Sequence, residues 1–307
     1  MNSDCNVEDE IVHCPFCQEQ VTRDTFLCPG KFNAFKYDDS EKSLPIPNEI
    51  LYHYTKIDTL RKILETKKLR GTHYSQLNDW KEIQIGIELL TQALNLWRNS
   101  ITPDKFDEIS QMIADFKSKK EKCYSTSFST KDDLLSQWRA YTDNHKGGVA
   151  IGFYSIDLRN LKSDQCSLLP CSYTTKDGSL KIPSSIFKIE SLNPKGTRII
   201  DTGLPELIQI MTSIKHYGYF EEQEWRLVSV LKEKSKENTI NRKRYIEYDI
   251  DKSMIKEIII SPHGDQEQIH SEIINLKSEG LVHADCDIKL SSIPYRDTDR
   301  VTKSDNK

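Results

Sequence analysis

A helical periodicity followed by a series of short strand-like runs divides this chain, and together they point to one class of fold. In "TPDKFDEISQMIADFKSKK", Phe106, Ile109, Ile113 and Phe116 recur at helical spacing behind a Thr-Pro start, and the whole stretch from about 80 to 120 reads as helix. Beyond it the chemistry changes to that of strands. The runs "CYSTSFS", "GGVAIGFY", "EWRLVSVLK", "RYIEYDI" and "IKEIIIS" are β-branched or aromatic, short, and bounded by polar or glycine turns. One further helix is expected in "DQEQIHSEIINLKSEG", with Ile269, Ile273 and Leu276 on one face, Asp265 as its cap and Gly280 past its end. "DIKLSSIPY" then reads as a terminal strand. Helices first and most strands later predict an α+β fold with a mixed or antiparallel sheet and flanking helices, not a doubly wound parallel one. Neither G-x-G-x-x-G after a strand nor a phosphate-binding P-loop occurs, which removes the two commonest nucleotide signatures.

Composition narrows the setting. Apolar residues make up 36% and charged ones 29% of 307 residues, a folded rather than a disordered balance. A net charge of −4 provides no general basic field, and the runs "KSKKEK" and "NRKRY" are too short to define a nucleic-acid surface. The polar opening "MNSDCNVEDE" is unlike a signal peptide, and no apolar run approaches the ~18–20 residues of a membrane span. A cytoplasmic protein without membrane contact is expected. Its eight cysteines are then thiols or metal ligands rather than disulfides.

Cys5, Cys14, Cys17 and Cys28 crowd into the first 28 residues. "HCPFCQEQVTRDTFLCPGKF" resembles a zinc ribbon, in which two cysteine turns face each other across a short hairpin and close a tetrahedron around structural zinc. The fourth cysteine of that pattern is replaced by Lys31, so His13 or Cys5 would complete the set. The alternative is a metal-free hairpin packed around Val21, Phe26 and Leu27. Four regions are expected: this cysteine-rich segment at 1–30, a proline-containing linker at 31–48, a main α+β domain at 49–297 and a charged tail at 298–307.

Four stretches place polar and aromatic groups beside apolar strands: "YHYT" at 52–55, "QLND" at 76–79, "SFSTKDDLLSQWRAYTDNHKGG" at 127–148 and "FEEQEWRLV" at 220–228. His53 ends a short strand on the threshold of a helix, where Thr55 and Asp58 have the spacing of a capping box and Ile57, Leu60, Ile63 and Leu64 form the apolar face. Trp138 and Tyr141 share a helix face, flanked by Gln137 and Arg139. Core filling accounts for Trp138; a buried Tyr141 would need a hydroxyl partner. Glu224 touches an apolar strand and either ends a solvated lead-in or points into a cleft. Hydrolase, zincin and protein kinase signatures are missing, and Cys166 and Cys171 have no histidine nearby in sequence. Asp79, Glu82, Asp132 and Asp133 could serve a magnesium nuclease only if the fold gathers them.

Taken together, "LYHYT", "LND…E", "SFS……SQWR.Y….G.AIGF", "EEQEWRLV" and "IPYR" resemble, in order and spacing, the bacterial family known as domain of unknown function 2971. "YHYTKIDTLRKILETKKLR" is more distantly similar to the first strand and helix of ADP-ribosyltransferases, including toxins that modify DNA. That resemblance implies a split α+β fold that binds NAD without a Rossmann fingerprint. It also implies a histidine–tyrosine–glutamate set mapping onto His53, Tyr141 and Glu224, with Tyr54, Thr55, Arg139 and Glu222 lining the NAD site. His53 would hold a ribose hydroxyl, Tyr141 would stack on nicotinamide, and Glu224 would bond the nicotinamide ribose. Tyr124, Tyr74 or Tyr54 could stand in for Tyr141, and His73 for His53. Glu222-x-Glu224 resembles the paired glutamates of arginine-modifying members. The activity implied is transfer of ADP-ribose to protein or nucleic acid, or NAD hydrolysis, in phage defence or a toxin system. The competing reading is a non-catalytic binding or sensor module whose cysteine-rich start docks a partner or nucleic acid. A structural ion pair between Glu224 and Arg226 or Arg139, with no cleft, would favour it.

Overall fold

The computed structural model describes residues 11–13, 20–22, 50–77, 80–98, 103–118, 121–143, 145–161, 166–174, 189–192, 198–200, 204–231 and 237–294. Strands β1 (Ile11–His13) and β2 (Gln20–Thr22) pair as an antiparallel hairpin. The cysteines expected as metal ligands, Cys5, Cys14, Cys17 and Cys28, lie outside the described residues, as do the side chain of His13, the linker and the tail.

The chain divides into two compact units, and the segment expected as one main domain contributes to both. The first unit comprises residues 1–45, 77–122 and 171–220. It holds helices α2 (Trp80–Trp97) and α3 (Pro103–Lys117), the short strands β8 (Ser172–Tyr173), β9 (Ile189–Leu192), β10 (Arg198–Ile200) and β11 (Ile214–Lys215), and α6 (Leu204–Met211). As expected, α3 begins at Pro103, and it buries Ile109, Met112, Ile113 and Phe116.

The second unit comprises residues 46–76, 123–170 and 221–307 and carries a ten-stranded sheet. Its elements in chain order are β3 (Ile50–Lys56), α1 (Ile57–Thr66), β4 (Lys68–His73), β5 (Cys123–Ser129), α4 (Leu135–Tyr141), β6 (Gly148–Tyr154), α5 (Ser155–Arg159) and β7 (Cys166–Pro170). They continue with β12 (Glu224–Val230), β13 (Asn238–Ile240), β14 (Lys243–Asp249), β15 (Ile255–Ile260), α7 (Gln266–Ser278) and β16 (Asp287–Leu290). Every pairing in this sheet is antiparallel except β15 with β16. The class is α+β with a mixed, mostly antiparallel sheet.

The five β-branched or aromatic runs all form strands, and α1 buries Ile57, Leu60, Ile63 and Leu64 as its spacing requires. Asp265 caps α7 by accepting from Gln268 N–H, and Gly280 takes the left-handed φ of 76° past its end. The capping box at Thr55 and Asp58 does not form. Strand β3 continues through Lys56, which caps α1 without a side-chain bond, because ladder pairing of Thr55 with Val149 outweighs a cap. A polar stretch also proves to be a strand: in β4, Leu69, Gly71 and His73 are buried while Arg70 is exposed. One face of the sheet meets α1 and α7 across a core that includes Leu51, Leu60, Phe128, Ile151, Phe153, Leu227, Ile258 and Ile273.

Candidate functional site

The sheet of the second unit is split, and the split sets the site. One edge of β5 pairs with β12 along its full length, Cys123 against Val230 to Ser129 against Glu224. Its other edge serves two strands in succession. Strand β4 takes Tyr124 and Ser125, opposite His73 and Thr72, and β3 meets β5 at one residue pair, Tyr52 with Ser129. That pair alone joins the run β3-β6-β15-β16 to the run β13-β14-β4-β5-β12-β7. Past Tyr52 no further pair joins the two central strands, and a side chain takes up the Ser127 carbonyl there.

His53 stands where the strands part. Its Nδ1 lies 3.0 Å from the carbonyl oxygen of Ser127, and its ring is 5.8 Å from that of Phe128. A carbonyl can only accept, so Nδ1 bears the proton and Nε2 the lone pair. Burial holds the imidazole pKa below its ordinary value, against the opposing pull of the Ser127 bond, so the ring is neutral at neutral pH. The product is a positioned acceptor, suited to a hydroxyl group.

Cross-strand register places Tyr52, Ser129 and Glu224 side by side on one face of the sheet. Strand alternation sends His53 toward the other face, beside Ile151 and Phe128. His53 and Glu224 therefore flank the split from opposite sides rather than meeting. The Glu224 carboxylate is 5% exposed and takes two bonds from Arg226, Nε to Oε1 at 2.6 Å and Nη2 to Oε2 at 3.2 Å. Alternation explains the pair: residues two apart on a strand share a face, and a charge buried there requires a partner. The turn before Glu224 is held by Ser129 Oγ donating to the Glu222 carbonyl at 2.6 Å and by Thr130 N–H donating to the Gln223 carbonyl at 3.2 Å. Gln223 adopts a φ of 41°, a strained left-handed geometry for a residue with a side chain.

The remaining expected residues divide. Tyr141 ends α4 and packs against the cluster of Tyr52, Tyr54, Trp138, Ala150 and Ile259, on the Glu224 face. Tyr54 is committed to the loop that follows β5: its hydroxyl donates to the Lys131 carbonyl at 2.8 Å and accepts from Leu134 N–H at 3.1 Å, while its ring meets Trp138 edge-on at 4.6 Å. Thr55 is buried, and Arg139 is exposed on α4. Tyr124 and His73 pack together, 5.3 Å between ring centroids, and the Tyr124 hydroxyl donates to Glu237, which also holds Arg244. His73 Nδ1 lies 2.8 Å from Ser75 Oγ and accepts from Ser75 N–H, so neither stand-in reaches the split.

Two of the four carboxylates considered for magnesium have described side chains. Asp79 and the side chain of Glu82 lie outside the described residues, and Asp132 is exposed. Asp133 accepts four hydrogen bonds, from Trp138 Nε1, Ser291 Oγ, Ser292 N–H and Ser292 Oγ. Burial raises its carboxyl pKa, and these bonds outweigh that and leave it below the ordinary range. Among the described residues no cluster of three or more His, Cys, Asp or Glu could hold a metal ion. No helix among them is long and apolar enough to cross a membrane.

Two features escaped sequence reasoning. The alternating Ser125, Ser127 and Ser129 of β5 face the same side as Glu224 and Arg226, a polar row in a strand that is otherwise buried. Glu257 joins β3 to β16 by accepting from the Tyr52 hydroxyl at 2.6 Å and from Lys289 Nζ at 2.5 Å. Burial, then Glu257, pushes the Tyr52 phenol far above its ordinary pKa, so it stays a donor. The signal for the first was visible: three hydroxyls at two-residue spacing among apolar neighbours.

Residues 137–227 match a family described as Protein of unknown function (DUF2971). The segment runs from α4 through the first residues of β12 and includes Tyr141, Glu222 and Glu224. No curated protein and no solved structure matches the chain.

Proposed function

We propose that this chain, a relative of that family of unknown function, is an NAD-consuming enzyme of ADP-ribosyltransferase type. It transfers ADP-ribose to protein or nucleic acid, or hydrolyses NAD. One observation carries the reading: a sheet joined across its middle by the single pair Tyr52–Ser129, with a neutral histidine on one face where the strands part and a buried carboxylate on the other. The chemistry that the resemblance implies is coherent. Breaking the bond between nicotinamide and ribose sends the electron pair to nicotinamide and leaves positive charge on the sugar. The Glu224 carboxylate, held by Arg226, stabilises that charge. His53 Nε2 accepts from a ribose hydroxyl, Tyr141 offers its ring to the cationic nicotinamide, and Glu222 orients the acceptor. Water or an acceptor nucleophile then attacks the anomeric carbon and gives up its proton. We place this activity in the bacterial cytoplasm, in phage defence or a toxin system, with zinc held by the N-terminal cysteines as structural support.

The test is nicotinamide release from NAD by the purified protein. Release is expected from the native chain and is expected to be lost in Glu224→Gln at unchanged circular dichroism. Release that persists in the variant would remove Glu224 from the mechanism. The bidentate bond of Glu224 to Arg226 favours a second reading, a binding module in which the pair only secures β12. Absence of both NAD binding and nicotinamide release would select it and direct attention to the cysteine-rich segment as a docking element.

A further inference from the structure

Strand β16 ends the sheet of the second unit, and its outer edge has the charge pattern of a strand that pairs with itself. Its sequence is Asp287-Ile288-Lys289-Leu290. Ser291 N–H donates to the Ile260 carbonyl at 2.8 Å, so by alternation Lys289 and Asp287 turn their backbone groups inward to β15. Ile288 and Leu290 therefore turn theirs outward. Asp287 and Lys289 sit on one face, and both are accessible, with side chains 54% and 53% exposed. Leu290, on the opposite face, is also 53% exposed.

We infer that this edge is a homodimer interface, in which β16 pairs antiparallel with β16 of a second copy about a twofold axis at Ile288. In that register the two Ile288 residues exchange N–H···O=C bonds, and each Asp287 lies opposite Lys289 of the second copy. No other antiparallel register sets both charges against their opposites while keeping them on one face. The new pairs extend charges already placed: Lys289 Nζ holds Glu257 at 2.5 Å, and Lys256 Nζ lies 3.6 Å from Asp287. Positive and negative groups would thus alternate across the axis. Lysine on an edge strand ordinarily guards against pairing, but an acid two residues away on the same face turns the guard into a register key. The contact is isologous, so it closes at two copies. The opposite end of the sheet, β13 with Asn238, Thr239 and Ile240, carries no charge pair and offers no comparable register.

Sedimentation of the full-length protein over a concentration series tests the proposal. A monomer–dimer equilibrium is expected. Asp287→Lys and Lys289→Asp should each weaken it at least about tenfold, since like charges then face each other across the axis. The combined swap should restore it to within a few-fold. A register probe stands apart from those charges: Ile288→Cys should cross-link two copies under mild oxidation, because hydrogen-bonded antiparallel partners have Cα atoms about 5.5 Å apart. Leu290→Cys, which this register sets opposite Cys286 of the second copy, should not cross-link once Cys286 is replaced by serine. A monomer at every concentration, or a dimer indifferent to both reversals and not cross-linked through position 288, would overturn the inference.

Discussion

Removing Arg226 should injure this protein more than removing both members of its ion pair. Glu224 and Arg226 are 5% and 3% exposed, and two bonds at 2.6 and 3.2 Å join them. In Arg226→Met the carboxylate stays at the same depth without its guanidinium. Breaking a buried pair from one side costs about 3–5 kcal/mol, a factor of roughly several hundred to several thousand in the folding equilibrium. The double variant Glu224→Gln/Arg226→Met leaves no charge behind and should recover much of that loss. The pH dependence separates this account from lost packing. A carboxyl buried in the fold and deprived of its guanidinium binds a proton more readily than the same group in the unfolded chain, whose pKa is about 4.3. Between the two values the folded state holds more protons, so the stability of Arg226→Met falls as pH rises. Urea unfolding of the single and double variants at pH 5.5 and 8 provides the comparison. A loss under about 1 kcal/mol at pH 8, or a double variant weaker than Arg226→Met, would refute the argument.

Two more perturbations read neighbouring groups. The His53 pKa is lowered in the fold, so the unfolded chain, with its ordinary value near 6.5, binds more protons as the solution is acidified. Stability should rise with pH up to about 6.5 and level off above it, and His53→Gln should flatten that rise in urea titrations between pH 5 and 7.5; an unchanged slope would contradict a neutral buried His53. Trp138→Phe removes the 2.7 Å bond from Nε1 to Asp133 as well as part of the edge-on contact with Tyr54. A loss of about 1.5–3 kcal/mol is expected, with the Asp133 carboxyl moving up toward its ordinary range in a carbon-detected titration.

How far the sequence reveals this molecule depends on whether each feature is local. The faces of α1 and α7 and the five β-rich runs are local, fixed by which residues three, four or two apart must be buried, and they were legible. Strand β4 was not, because "KLRGTH" buries Leu69, a glycine and a histidine, and these announce no apolar alternation. The split was invisible for a deeper reason. Nothing within β5 states that its outer edge changes partner from β4 to β3 between Ser125 and Ser129. That choice rests on pairings between segments about 50 to 75 residues apart in sequence, which local pattern does not encode. The same limit applies to the site. Glu224 and Arg226 were legible as a candidate pair, since two opposite charges at i and i+2 on an apolar strand share a face. The relation of His53 to Glu224 was not, because it depends on cross-strand register: Tyr52, not His53, lies level with Ser129 and Glu224. A ligand bridging His53 and Glu224 must therefore pass through the split rather than lie on one face of the sheet. Tyr52 and Ser129, the last pair before the strands part, are the residues it would have to pass.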